Sequence, residues 1–146
     1  MRLIMTHEQA DLDALASLLG AQILAPDAYA LLPRQINRNG QAFLRKFGGK
    51  LNFYRINDLP RGNIEEIILV DTQSMVTLRG ITRDTKVRVI DHHPRKNQGQ
   101  SDWDYEVHET GACTSILVEK IKDANMDISV EEATLMLLGI YEDTGS

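Results

Sequence analysis

Three apolar runs in this chain each end in residues that can hold a metal ion. Arg2-Leu3-Ile4-Met5-Thr6 is followed by His7, Asp11 and Asp13, the run from Glu65 to Val70 meets Asp71, and the run from Lys86 to Ile90 meets Asp91-His92-His93 before Pro94. A fourth acid, Asp143, stands at the end of the last apolar pattern. Carboxylates and imidazoles without thiolates suit a hard divalent ion, manganese or magnesium, better than a structural zinc; iron, cobalt and catalytic zinc remain compatible. Manganese is the first choice. The donors outnumber what one ion with open positions needs. A carboxylate shared between two ions roughly 3.5–4 Å apart would use them economically and would make a bridging hydroxide at neutral pH. Adjacent histidines on a strand point to opposite faces, so His92 and His93 can serve one site only from a loop just past the strand.

The elements that must present these donors can be read in order. The first run predicts a buried strand. Leu12, Leu15, Ala16, Leu19 and Ile23 then recur at helical spacing over Asp13 to Leu24, with Asp11 or Asp13 as the cap and Pro26 as the stop. Ala28 to Leu32 reads as a second strand, and Asn39 opens a short helix ending at Gly48-Gly49. Glu-Glu-Ile-Ile-Leu-Val at 65–70 has the near-continuous apolar character of a strand buried on both faces. Thr72 to Thr85 and Pro94 to Asp104 are polar connections, and Tyr105 to His108 is an edge strand. Gly111 begins a helix with Ile116, Leu117, Ile121 and Ala124 in one stripe. Ser129 and Glu132 form a capping box for a last helix whose inward residues are expected to be Ala133, Met136, Leu137 and Ile140. The alternation defines an α/β fold, an open, mostly parallel sheet flanked by helices, with ligands at the carboxyl ends of the strands.

Composition narrows the class further. At 146 residues and 42% hydrophobic content there is room for one domain with a proper core, not two. The single Cys113 excludes an intrachain disulfide framework and any Cys-rich zinc site, and no apolar run reaches membrane-spanning length. A reducing, cytoplasmic setting without a membrane is expected. The net charge of −5, with basic residues scattered between 34 and 96, offers no footprint for long nucleic acids. Short phosphate ligands stay open, because a metal supplies positive charge locally. His108 reads as a solvated histidine, Cys113 as a small core residue, and Trp103 as an amphipathic cover on the sheet edge.

His7-x-x-x-Asp11-x-Asp13-Ala14, Val70-Asp71-Thr72, Asp91-His92-His93-Pro94, Gly111-Ala112-Cys113-Thr114-Ser115 and Gly139-Ile140-Tyr141-Glu142-Asp143-Thr144-Gly145, in this order, resemble the DHH phosphoesterase family, RecJ-like exonucleases included. The resemblance covers residues 1–146 as one DHH domain. The wording around the motifs is similar to the branch in which this domain precedes CBS domains and a poly(A) polymerase or CCA-adding tRNA nucleotidyltransferase domain. The resemblance implies two manganese ions per chain: His7 and Asp11 on the first, Asp13, His92 and Asp143 on the second, Asp71 bridging. It also implies that Asp91 orients an imidazole, that His93 meets the phosphate or protonates the leaving oxygen, and that Gly111, Thr114 and Ser115 approach a substrate phosphate. The implied reaction is hydrolysis of short RNA or DNA, or of linear or cyclic dinucleotides. The alternative is a regulatory module that positions a nucleotide or tRNA end for a downstream nucleotidyltransferase. Members of the family carry a second, substrate-binding domain after the part seen here, so the chain is expected to be a fragment truncated before it, with downstream domains as partners and room for an oligomer.

Overall fold

The computed structural model describes residues 1–95, 100 and 102–145; residues 96–99 and 101, within the polar connection expected at 94–104, and residue 146 lie outside the described residues. Six strands form one sheet: β1 (Arg2–Met5), β3 (Tyr29–Leu31), β5 (Phe53–Tyr54), β6 (Glu66–Val70), β7 (Lys86–Asp91) and β8 (Asp104–Val107). Their order is β5-β3-β1-β6-β7-β8, and every adjacent pair is parallel. A second, two-residue parallel pair joins β2 (Gln9–Ala10) to β4 (Gln35–Ile36). The chain winds outward from β1 through β3 to β5, then returns to place β6 on the other side of β1. The strand order therefore reverses between β1 and β6, and His7 and Asp71 follow those two strands. That reversal point, at the carboxyl ends, is where open α/β sheets bind ligands.

Alternation along the strands separates two cores. Ile4, Ile68, Val70 and Ile90 face a helical layer, whereas Leu3, Met5, Ile67, Leu69, Val87 and Val89 face the opposite side. The helical layer consists of α1 (Leu12–Leu24), α2 (Arg38–Phe47), α3 (Cys113–Asp123) and α4 (Val130–Thr144). Irregular chain on either side of β6, with Leu59 before it and Met75, Val76, Leu78 and Ile81 after it, covers the other face, and Trp103 and Tyr105 pack there beside β8. Nearly all of α1 is buried, as a helix enclosed between a sheet and other helices must be. Two glycines permit the close approach: a Cβ on Gly20 would lie 3.0 Å from Leu117 Cβ on α3, and one on Gly139 would lie 2.8 Å from Ala16 Cβ on α1.

The last helix has the expected capping box, closed by Ser129 and Glu132, and ends at Gly145 with φ of 69°. Its inward face differs from the expected one. Leu135, Met136 and Gly139 are buried, while Ala133 is exposed and Leu137 is 68% exposed. Leu135 to Leu138 is a run of four apolar residues, which leaves the face undetermined by periodicity; the Gly139 contact with α1 decides it. Ala124 likewise caps α3 and is exposed rather than part of its stripe.

Candidate metal centre

Asp71 stands where β6 ends, with φ of 58°, in the left-handed region that disfavours most side chains but is least costly for Asp and Asn. Its N–H donates to the Ile90 carbonyl at 3.1 Å, which ties the turn to β7. The turned-up carboxylate then presents its two oxygens in different directions. Oδ2 lies 3.4 Å from His7 Nε2, and Oδ1 lies 3.1 Å from His92 Nε2. Around Oδ2, the donor atoms of His7, Asp11 and Asp71 come within 4.8 Å of one another; Asp13, His92 and Asp143 form a second such group, and Asp71, Asp91, His92 and His93 a third.

Asp11, Asp13 and His92 are oriented from behind. Asp11 caps α1, accepting the Ala14 N–H on Oδ1 at 2.9 Å. Asp13 is fully buried in the first turn of α1 and receives the amino end of α3: Cys113 N–H donates to Oδ2 at 3.0 Å, and Thr114 N–H and hydroxyl donate to Oδ1 at 2.9 and 2.6 Å. The positive end of α3 and its orphan N–H groups thus stabilise a buried carboxylate. His92 Nδ1 donates to the Thr110 carbonyl at 3.0 Å. A carbonyl can only accept, so neutral His92 carries its proton on Nδ1 and turns the Nε2 lone pair inward. That lone pair faces Asp71 Oδ1 at 3.1 Å, Asp143 Oδ2 at 3.4 Å and Asp13 Oδ2 at 3.6 Å. Asp143 reaches the group from the last turn of α4.

Four lone-pair atoms converging with no lysine or arginine among them fit a cation. Asp71 Oδ1 and His92 Nε2 are both buried and have no hydrogen-bond partner. Among the described residues, only histidines pair with Asp13, Asp71 and Asp143; no lysine or arginine does. Ligands about 3–3.5 Å apart are the spacing expected around an ion whose bonds are roughly 2.0–2.2 Å long. The His and Asp groups therefore suit a divalent metal. The titration behaviour has the same origin. Burial pushes the Asp71 carboxyl up to about 6, with Asp13 and Asp11 adding to the rise against the opposing His7 and His92. Burial and the neighbouring Asp13 and Asp11 also raise Asp143. The Asp71 contact raises His7, and for His92 the effect of burial is outweighed by the Thr110 carbonyl and by Asp71, Asp13 and Asp143.

The pair Asp91–His93 sits beside these groups. Asp91 is 1% exposed; its Oδ1 accepts from His93 Nδ1 at 2.8 Å and its Oδ2 from Gln73 Nε2 at 2.9 Å. The imidazole that Asp91 holds is thus that of His93, whose ring is more than half exposed and 4.2 Å, centre to centre, from that of His92. The residues at 111–115 behave differently from one another. Thr114 is fully buried, and its hydroxyl is committed to Asp13, so it positions that carboxylate instead of facing a phosphate. Gly111 is exposed against Thr144, where a Cβ would meet Thr144 Cγ2 at 2.7 Å, and Ser115, half-buried, donates its N–H to Ala112 O.

Two residues that support the site are given no role by the sequence reading. Gln73 is one amide in a polar connection, yet its Nε2 also reaches the His93 and Pro94 carbonyls at 3.2 Å. Glu142 caps α1 from 130 residues away, accepting the Leu12 N–H at 2.8 Å, and so fixes the end of α4 that carries Asp143. His108 lies outside the site, exposed and 3.2 Å from Glu106, and Cys113 is a buried core thiol that burial pushes well above its ordinary range.

Residues 2–140 match the DHH family, N-terminal domain, and the chain belongs to that family. It is similar to the A-adding tRNA nucleotidyltransferases of Aquifex aeolicus, 36% identical over 99% of this chain, and Geobacter sulfurreducens, 32% identical over its whole length; it spans 17% of each of those proteins. It is 30% identical over 97% of its length to a "Probable manganese-dependent inorganic pyrophosphatase" of Exiguobacterium, of which it spans 47%. Among solved structures, a "putative family II inorganic pyrophosphatase" of Methanococcus jannaschii superposes with a TM-score of 0.72 at 27% identity, covering 99% of this chain and 49% of that one. An exopolyphosphatase-related protein of Bacteroides fragilis shares the fold, with a TM-score of 0.69 at 19% identity. No helix among the described residues is long and apolar enough to cross a membrane.

Proposed function

We propose that the chain is the catalytic domain of a metal-dependent phosphoesterase that hydrolyses phosphodiester bonds of short oligonucleotides or of linear or cyclic dinucleotides. The observation that carries this reading is the division of Asp71, one oxygen 3.4 Å from His7 and the other 3.1 Å from His92. His7 and Asp11 would hold one divalent ion, Asp13, His92 and Asp143 a second, and Asp71 would touch both; manganese is the ion named for the pyrophosphatase relatives. Two such ions supply, when bound, charge neutralisation at phosphate oxygens and a water acidified to near neutral pH.

The chain's own residues set up the rest. Thr110 keeps the His92 proton away from the centre, and the N–H groups of Cys113 and Thr114 hold the buried Asp13 carboxylate in place. Asp91 holds the His93 proton at Nδ1, leaving Nε2 on the exposed side to meet the phosphate or, protonated, to give a proton to the departing oxygen as the P–O bond breaks. No covalent intermediate with the protein is required. Its relation to nucleotidyltransferases over nearly its whole length supports a second reading, a module that positions a nucleotide or tRNA end for those enzymes.

Hydrolysis separates the two readings. The longest natural polypeptide containing this chain is to be given manganese and a chromogenic phosphodiester, a di- to pentanucleotide series and pyrophosphate. Manganese-stimulated cleavage of the phosphodiesters, abolished by EDTA and by Asp71→Ala, is the expected result. Cleavage of none of them would leave only the module.

A further inference from the structure

A cleft of about 230 Å³ opens at the carboxyl ends of β1, β3 and β5, on the sheet face opposite the helices. Leu31 and Pro33 after β3, and Val76 and Leu78 from the chain that crosses the sheet, give it apolar walls; Arg34 and Arg55 stand on its lining and are exposed, together with Glu8, Asn57 and Thr77. Among the described residues neither arginine has a carboxylate partner within 4.0 Å. Thr6 also lines the cleft. It is 6% exposed, its hydroxyl has no hydrogen-bond partner, and the next residue in the chain is His7 of the metal centre. A larger cavity, about 560 Å³, lies at the amino ends of the strands around Met1, Asn63 and Gly80 and contains none of the His or Asp donors of the centre.

We infer that the smaller cleft is a nucleoside subsite, taking one base of the substrate between its apolar walls while Arg34 and Arg55 hold a phosphate next to the scissile one. This deepens the phosphoesterase reading and rests on it for the position of the scissile phosphate. The volume is below the roughly 300–1,000 Å³ of pockets that enclose a whole drug-sized ligand, which suits a single base and not a complete dinucleotide. Apolar walls with exposed polar side chains beside them suit a base site, since every base has a flat apolar face and needs only one or two edge contacts for orientation. The Asn57 amide, exposed on the lining, can provide such a contact. Two unpaired guanidinium groups match a phosphodiester in charge and in donor geometry. Inorganic pyrophosphate would leave this slot unused, so the cleft favours nucleotides over pyrophosphate as the substrate class.

Binding can be read without catalysis. The ¹⁵N-labelled protein, free of metal, is titrated with AMP, adenosine and inorganic phosphate, and the amide shifts are mapped. AMP and adenosine are expected to move residues 31–34, 55–57 and 76–78, and phosphate alone is expected to spare the apolar walls. Arg34→Gln with Arg55→Gln should weaken AMP about tenfold and leave adenosine within twofold. Val76→Trp, at a half-buried position in the wall, should weaken both. Absence of adenosine shifts at these segments, or equal loss of adenosine and AMP in the arginine variant, would overturn the inference even if the protein cleaves a base-free phosphodiester with manganese. Shifts at the cleft in a protein that cleaves no phosphoester would keep the subsite and remove the reaction.

Discussion

Asp71→Asn is expected to stabilise the metal-free protein while weakening its response to metal. Asparagine keeps the shape and tolerates the φ of 58°, so the backbone turn survives the exchange. What changes is the buried charge. The folded carboxyl is raised from 3.8 to about 6, which at about 1.4 kcal/mol per tenfold corresponds to about 3 kcal/mol of destabilisation when it ionises. The sign follows from proton binding: between the unfolded value of 3.8 and the folded value of about 6, the native state holds a proton that the unfolded chain has lost, so stability falls as pH rises through that window. Loss of the His7 contact offsets part of the gain, leaving about 1–3 kcal/mol at pH 7.5. Thermal melts in EDTA should place the variant above wild type by roughly 2–4 °C per kcal/mol, and the difference should vanish near pH 4. With manganese the order reverses, because only wild type binds both ions. A variant that melts below wild type in EDTA at pH 7.5, or that gains as much from manganese, would refute the reasoning.

Two further substitutions test how the donors are held. Thr114→Val keeps the volume but removes the 2.6 Å hydroxyl bond to buried Asp13; urea unfolding should show a loss of about 2 kcal/mol, and manganese affinity should fall about 10- to 100-fold. Gly139→Ala would set a Cβ 2.8 Å from Ala16 Cβ and 2.9 Å from the Leu12 carbonyl; by urea unfolding it should cost about 1–3 kcal/mol as α4 is forced from α1, and metal affinity should drop because Asp143 moves with the helix.

The residues that define the fold speak plainly in the sequence where a local rule governs them. β6 and β7 are continuous apolar runs, α1 has its cap and its period, and Ser129 with Glu132 writes the start of α4. Two-residue strands carry no pattern, so β2, β4 and β5 exist only through their partners. Leu135 was hidden for the opposite reason, too many apolar neighbours. At the centre, His7, Asp11, Asp13, Asp71, His92 and Asp143 stand out because each follows an apolar run or ends one, and the fold brings them together. Their supports do not stand out. Asp91 serves His93, two residues on, rather than His92; that Thr114 serves Asp13, and that Gln73 and Glu142 matter at all, are consequences of contacts across 18 to 130 residues of chain. No spacing rule reports such contacts.

The central claim is that Asp71 joins two metal sites. Metal content after equilibration with manganese and removal of free ion tests it most directly. About two ions per chain in wild type, falling to one or fewer in Asp71→Asn, is the expected result for a shared carboxylate. At most one ion in wild type, or two retained by the variant, would contradict it.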